Sequence, residues 1–219
     1  MKMKRPSCKA TNSRPGTEPV AEAAAALAAA SILFKADNAG YSNKLLTHAK
    51  QLYNFGKNKQ GNYGSICNAQ KFYRYTRVLI SNKNYHQIQF SFTSSRSWSG
   101  FKDELSWAAA WLHKATRQNS YLQDAKRFYR EAGNNAGSQF SWDEKKAGAA
   151  VLLMEANAGN EYKNHVKSYC NNFRGKANNQ GVACYTEWGN NRYAANSAYI
   201  CIRASFGTKE FEHSLYHDN

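Results

Sequence analysis

The spacing of hydrophobic positions along the chain predicts seven helices, six of them in three consecutive pairs. Residues 17–34 begin with polar and acidic positions and continue as an alanine-rich run, and residues 42–55 carry leucines and a tyrosine at helical spacing before Gly56. The second pair is 103–116 with 120–132, and the third is 142–156 with 161–170, divided by the Asn157-Ala-Gly-Asn160 turn. A last helix is predicted at about 191–205. All three prolines lie in the first nineteen residues, so we predict an all-α body of antiparallel helical hairpins.

One segment, 75–96, differs from the rest of the chain. It is rich in β-branched and aromatic residues, and apolar and polar positions alternate between His86 and Phe92. That pattern predicts a strand rather than a helix.

Net charge and apolar content argue against some classes of function. Thirty Lys and Arg against fifteen Asp and Glu give a net charge of +15, but the basic residues are spread along the chain. A solvated basic surface is therefore favoured over nucleic-acid binding. The longest apolar run, 20–34, is mostly alanine and contains Glu22, so no membrane span is predicted. No signal peptide is visible at the basic N-terminus.

Cysteine and histidine positions give no catalytic or metal pattern. The five cysteines include no C-x-x-C pair, so they imply neither a zinc site nor a complete disulfide framework, and one or two disulfides remain open. His48, His113 and His165 lie in predicted helices without partners at metal or triad spacing, which favours surface or interhelical roles.

Seven separated blocks of the chain carry a family resemblance in order and spacing. They are Arg5-Pro-Ser-Cys-Lys9, Pro15-Gly16, the alanine-rich run 22–32, His48-Ala-Lys-Gln-Leu-Tyr53, Ser99-Gly-Phe-Lys-Asp-Glu-Leu105 with Ala109-Ala-Trp-Leu112, Phe140-Ser-Trp-Asp143, and Trp188-Gly-Asn-Asn-Arg-Tyr-Ala-Ala-Asn196. Together they resemble the endo-β-1,4-glucanases of glycoside hydrolase family 9. The resemblance implies an (α/α)6 barrel of helical hairpins, incomplete in this chain, and a single partial catalytic domain over 1–219.

The same resemblance bears on segment 75–96. The family has an uninterrupted Phe-Tyr-x-Ser-Trp-Ser-Gly here, and removing 75–96 joins Phe72-Tyr-Arg74 to Ser97-Trp-Ser-Gly100 and restores it. We expect a foreign insertion from a translated, unspliced intron, and the rival interpretation is a true loop.

Two sets of site residues follow from the resemblance. Tyr73, Trp98 and Trp188 match positions that line the glucan cleft, where aromatic rings stack on the apolar faces of sugars. Taken alone, each is more often a core residue than a sugar platform. The second set supplies the hard oxygen ligands that Ca²⁺ prefers, and it comprises Ser99, Gly100, Asp103, Glu104 and Asp143. The alternative is that Asp103 and Glu104 only stabilise a helix N-terminus and that Ser141 to Glu144 form a capping box.

The family's catalytic carboxylates have no counterpart here. An inverting glycosidase needs one carboxylate as base and one carboxylic acid as proton donor, and the resemblance places them in Asp-Ala-Gly-Asp and Asn-Glu motifs that this sequence lacks. We therefore expect a β-1,4-glucan partner, no organic cofactor and a secreted monomer, but no activity from this chain as written. The alternatives are a non-catalytic glucan-binding pseudoenzyme, a decayed gene product, a related glycosidase acting on another polysaccharide and, last, a nucleic-acid binder.

Overall fold

A computed structural model describes residues 7–66, 100–186 and 189–207. The helices in these ranges are α1 (Thr17–Leu33), α2 (Ala39–Asn58), α3 (Lys102–Thr116), α4 (Asn119–Glu131), α5 (Lys146–Glu155), α6 (Asn160–Arg174) and α7 (Asn190–Gly207), with a 3₁₀ turn at Tyr63–Ser65. The described ranges contain two isolated β-bridges and no longer strand. The predicted strand and the whole of segment 75–96 lie outside the described residues.

The helices form two layers. Helices α1, α3, α5 and α7 pack against one another in succession, while α2, α4 and α6 each lie outside, between two members of that row. The reason is in the sequence: α5 buries every residue from Ala147 to Met154, whereas α4 buries only Ala125, Phe128 and Tyr129. A helix that is apolar on all sides belongs inside, and a helix with one apolar stripe belongs outside.

The predicted hairpins are confirmed, because α1 packs on α2, α3 on α4 and α5 on α6. The start of the fifth helix was predicted at Trp142 and is wrong: the helix begins at Lys146. The Ser141 hydroxyl accepts hydrogen bonds from the main-chain amides of Asp143 (3.4 Å) and Glu144 (3.2 Å). It therefore caps a separate turn ahead of the helix, not the helix itself.

The N-terminus of α1 is tied to the segment that follows α2. The Thr17 amide donates to the Gly61 carbonyl (2.8 Å), and the Gly61 amide donates back to Thr17 Oγ1 (2.9 Å). Next to it, the Tyr63 amide donates to Glu18 Oε2 at 2.8 Å. Gly16 precedes α1 with φ 53°, in the left-handed region that favours glycine.

Disulfides answer the question left open by the cysteine spacing. Cys170 in α6 is bonded to Cys201 in α7, and both are buried. Cys8 is also in a disulfide, while Cys184 is free and exposed.

Several large apolar side chains are exposed. On α7, Tyr199, Ile202 and Phe206 lie at helical spacing with 58, 49 and 75% of their surfaces accessible. Among the described helices, none is both long and apolar enough for a membrane span.

Candidate functional site

Buried carboxylates cluster where the starts of α1 and α3 meet the loop before α5. Asp103 and Glu104, in the first turn of α3, are 0 and 1% exposed, and Glu18 of α1 and Asp143 of the loop are each 7% exposed. Carboxylates are almost never buried this deeply unless something compensates their charge. This group, Glu18, Asp103, Glu104 and Asp143, is called the carboxylate cluster below.

Lys145 is the buried cation beside the carboxylate cluster. Its main-chain amide donates to Asp103 Oδ2 (2.8 Å), which fixes the loop against α3. Its ammonium group donates to the carbonyls of Ser141 (2.7 Å) and Trp142 (2.5 Å) and pairs with Glu22 at 2.7 Å. The Lys145 charge is therefore committed largely to the loop carbonyls and to Glu22, at one side of the carboxylate cluster.

The burial perturbs two of the acids strongly. Desolvation, reinforced by neighbouring Asp103, raises the pKa of Glu104 to about 11. Desolvation also raises the pKa of Glu18 to about 7, with Asp143 and Asp103 adding to the effect and the Tyr63 amide opposing it. Glu104 Oε2 and Glu18 Oε1 are buried and receive no hydrogen bond within the described part of the chain. The raised pKa values mean that Glu104 keeps its proton near neutral pH unless a further positive charge compensates its burial.

A bound cation is compatible with these residues. Ca²⁺ prefers carboxylate and carbonyl oxygens, and the buried oxygen of Glu104 that lacks a hydrogen bond is of that type. Within 7–66, 100–186 and 189–207, however, no three His, Cys, Asp or Glu side chains are grouped closely enough to hold a metal. The described carboxylates therefore do not form a metal site by themselves.

The predicted site residues divide between described and undescribed parts. Asp103, Glu104 and Asp143 are buried in the same region. Gly100 lies two residues before α3 with φ 84°, and no atom of the described residues lies within 4 Å of where its Cβ would be. Ser99 and all three aromatic candidates, Tyr73, Trp98 and Trp188, lie outside the described residues.

Sequence reasoning missed two members of this region. Glu18 was interpreted only as a first-turn acid of α1, and Lys145 was assigned no role. The sequence gives little sign of the role of Glu18, because acidic residues near a helix start are common. No local feature shows that Glu18 lies near a loop more than 120 residues away.

Two layers of helices, in which each outer helix packs between two inner ones, define a protein of the helical-hairpin barrel class. The family model for glycosyl hydrolase family 9 matches residues 1–218. The chain belongs to this family, whose fold is the (α/α)6 barrel.

Curated relatives and solved structures agree. An endoglucanase of Dictyostelium discoideum is 37% identical over 209 residues, which cover 91% of this chain and 26% of the relative. Endoglucanase B of Cellulomonas fimi is 32% identical over 233 residues, covering 100% of this chain and 20% of that protein. The endoglucanase structure from the termite Nasutitermes takasagoensis superposes with a TM-score of 0.79 at 38% identity, over 94% of this chain and 43% of its own.

This chain therefore spans about a quarter or less of these two curated relatives and under half of the termite structure. A cellulase of C. cellulolyticum superposes with a TM-score of 0.69 at 23% identity and supports the fold alone.

Proposed function

We propose that this chain is part of an endo-β-1,4-glucanase that hydrolyses internal bonds of cellulose with inversion at the anomeric carbon. The observation that carries the proposal is family membership over 1–218, together with superposition on an endoglucanase at 38% identity. The activity belongs to the whole protein, since the relatives are much longer than this chain.

In this proposal the chain contributes the glucan-binding surface. Tyr73, Trp98 and Trp188 hold successive sugars by stacking on their apolar faces, and polar groups at the rim bind the hydroxyls. Binding several sugars in one orientation positions the scissile bond, which lowers the entropic cost of the reaction.

Calcium has a structural role in the proposal. Ser99, Gly100, Asp103, Glu104 and Asp143 would hold Ca²⁺, which would supply positive charge that the carboxylate cluster lacks. The ion takes part in no bond-breaking step. These residues would connect the start of α3 to the loop before α5. The hydrogen bond from the Lys145 amide to Asp103 already links the two segments.

Catalysis needs a carboxylic acid that protonates the leaving oxygen and a carboxylate that activates water on the opposite face of the sugar. No residue of this chain is assigned to either role, because none matches the family's motifs. The buried members of the carboxylate cluster are poor candidates, since Asp103 and Glu104 are at most 1% exposed.

The second candidate function is glucan binding without hydrolysis, by a pseudoenzyme or the product of a decayed gene. It needs neither an acid nor a base motif, and neither motif occurs within these 219 residues. Both functions require the aromatic surface, so binding and hydrolysis must be measured separately.

The test measures binding to insoluble cellulose and release of reducing ends from hydroxyethylcellulose by the purified 219-residue chain. We expect binding without release, and weaker binding in Trp188→Ala. Tyr199→Ala is the matched control, because Tyr199 is an exposed aromatic on α7 that is assigned no glucan contact. Absence of binding would contradict the glucan-binding surface, and release of reducing ends would contradict the missing catalytic pair.

We further propose a secreted protein whose partial domain, 1–219, contains a foreign insertion at 75–96. Transcript reads that join the codons of Arg74 and Ser97 directly would support the insertion. Reads that retain the segment, with flanking family motifs, would support a true loop.

A further inference from the structure

The two carboxylate oxygens of Glu18 have different surroundings. Oε2 accepts a hydrogen bond from the Tyr63 amide at 2.8 Å. Oε1 is buried, and no residue of the described ranges donates a hydrogen bond to it. Because only 7% of Glu18 is exposed, bulk water compensates this oxygen little. A buried carboxylate oxygen of this kind calls for a further donor or a positive charge.

The charges around Glu18 do not supply that compensation. Asp143 and Asp103 both disfavour a negative charge on Glu18. The Lys145 ammonium donates to two loop carbonyls and pairs with an acid outside the carboxylate cluster. Glu104 also has a buried oxygen, Oε2, that receives no hydrogen bond from the described residues. A single cation beside these acids would therefore stabilise Glu18 and Glu104 together.

Glu18 also connects the carboxylate cluster to segment 61–66. The Thr17 amide donates to the Gly61 carbonyl at 2.8 Å, and the Gly61 amide donates to Thr17 Oγ1 at 2.9 Å. The Tyr63 amide then donates to Glu18, the next residue of α1. These hydrogen bonds attach the segment to the first two residues of α1, so a shift of the Glu18 carboxylate acts directly on it.

Glu18 fits a place beside the cation ligands better than a place among them. The described side chains include no group of three His, Cys, Asp or Glu that could hold a metal, and one oxygen of Glu18 is already bonded to the Tyr63 amide. Groups just outside a ligand set orient the ligands and raise their affinity for the metal. Loss of such a group typically weakens metal binding about 10- to 100-fold.

We propose that Glu18 is a positioning residue of the calcium site, where its negative charge strengthens Ca²⁺ binding and transmits occupancy of the site to segment 61–66. This inference rests on the calcium site of the proposed function and adds a residue of α1 to it. Calcium binding then holds three parts of the chain together, namely the starts of α1 and α3 and the loop before α5.

The test measures Ca²⁺ binding to the full chain by isothermal titration calorimetry after treatment with EDTA. Glu18→Gln keeps an oxygen that can accept from the Tyr63 amide but removes the charge, so the dissociation constant for Ca²⁺ should rise about 10-fold or more. Glu18→Asp restores the charge and should recover most of the lost affinity. The matched control is Glu161→Gln, which removes an exposed first-turn acid of α6 and should bind Ca²⁺ as the unchanged chain does.

Hydrogen exchange of segment 61–66, followed by mass spectrometry, gives a second readout. Ca²⁺ should slow exchange at the Tyr63 amide several-fold in the unchanged chain and in Glu161→Gln, but not in Glu18→Gln. If Glu18→Gln lowers stability and leaves the affinity for Ca²⁺ unchanged, Glu18 has only a structural role and the inference is overturned.

Should Glu18→Gln fail to fold, Glu18→Asp carries the test. Its shorter side chain should lose the calcium-dependent protection of Tyr63, and full retention of that protection would overturn the inference. Absence of Ca²⁺ binding by the unchanged chain would overturn this inference together with the calcium site. Binding to hydroxyethylcellulose, measured on the same preparation, tests the glucan surface independently of either result.

Discussion

The main-chain amide of Lys145 lies 2.8 Å from Oδ2 of Asp103 and donates a hydrogen bond to it. The two residues are 42 positions apart, in the loop before α5 and in the first turn of α3. This bond explains why the fifth helix begins four residues later than its sequence pattern predicts. It also places Asp143 of the loop beside the acids of α3, so the carboxylate cluster depends on it.

Calcium should stabilise the chain through the carboxylate cluster. At a Ca²⁺ concentration about 100 times the dissociation constant, the free energy of unfolding should rise by about 2.7 kcal/mol. For a chain of this size, that corresponds to roughly 5–10 °C in Tm. Thermal melts with CaCl₂, MgCl₂ and EDTA measure the effect.

Asp103→Asn should abolish the calcium response, while Asp37→Asn, at an exposed acid, should retain it. An equal rise with Mg²⁺ would argue against a site selective for calcium. No rise with either ion would contradict the proposed site.

Gly148 in α5 should not tolerate a methyl group. A Cβ there would overlap the Trp107 ring and lie 2.9 Å from Phe140 Cε2. Gly148→Ala should therefore lower the free energy of unfolding by about 1–3 kcal/mol, although alanine is the better helix former. Urea denaturation of the variant measures the difference.

Gly56 in α2 provides the opposite case. A Cβ there meets Val20 Cγ1 at 3.4 Å, an ordinary contact. Gly56→Ala should be neutral or stabilise by up to about 1 kcal/mol. If both alanine variants behaved alike, the packing at Gly148 would not be the cause.

The disulfide between Cys170 and Cys201 should contribute substantially to stability. It joins α6 to α7 across a sequence separation of 31. Limiting the unfolded chain in this way contributes about 3–4 kcal/mol in the chain-entropy account. The variant Cys170→Ala/Cys201→Ala should show that loss in chemical denaturation, and Cys184→Ala, at a free exposed cysteine, should not.

The ion pair between α2 and α4 should make stability depend on pH in the acidic range. Burial alone would raise the pKa of Asp124, but hydrogen bonds from Lys57 (2.5 Å), Tyr53 (2.9 Å) and Arg127 (3.1 Å) outweigh it and hold the pKa below its usual range. A lowered folded-state pKa means that the stabilisation is present above the unfolded pKa of about 3.9 and is lost as pH falls through the folded value.

Asp124→Asn should therefore destabilise the chain by about 1–3 kcal/mol at pH 7 and by progressively less below about pH 4. Denaturation at several pH values measures both effects. A constant difference between the variant and the wild-type chain across this range would contradict the assigned role of Asp124.

Much of the fold could be predicted because each helix carries its own signal. The predicted and observed bounds of α3 and α4 differ by one residue at most, since caps and periodicity act over a few residues. The end of α2 was predicted at Gly56 and is wrong, since the helix continues through this glycine to Asn58. The predicted end of α6 was short by four residues, because its last turn is largely polar. In each case the local pattern identified the helix and missed its termini.

From the sequence, members of the carboxylate cluster could be predicted only where a family motif contains them. The block 99–105 pointed to Asp103 and Glu104 through the family resemblance, and the structure buries both with Asp143. Glu18 was missed because no local feature links α1 to a loop far along the chain.

By itself, then, the sequence determined the all-helical class, the hairpin order and the family, because these depend on local periodicity and on motifs read in order. Only the tertiary structure decided which helices form the inner row, where α5 begins and which charges lie together. Those features come from contacts between residues tens of positions apart, where burial and hydrogen bonding outweigh local preference.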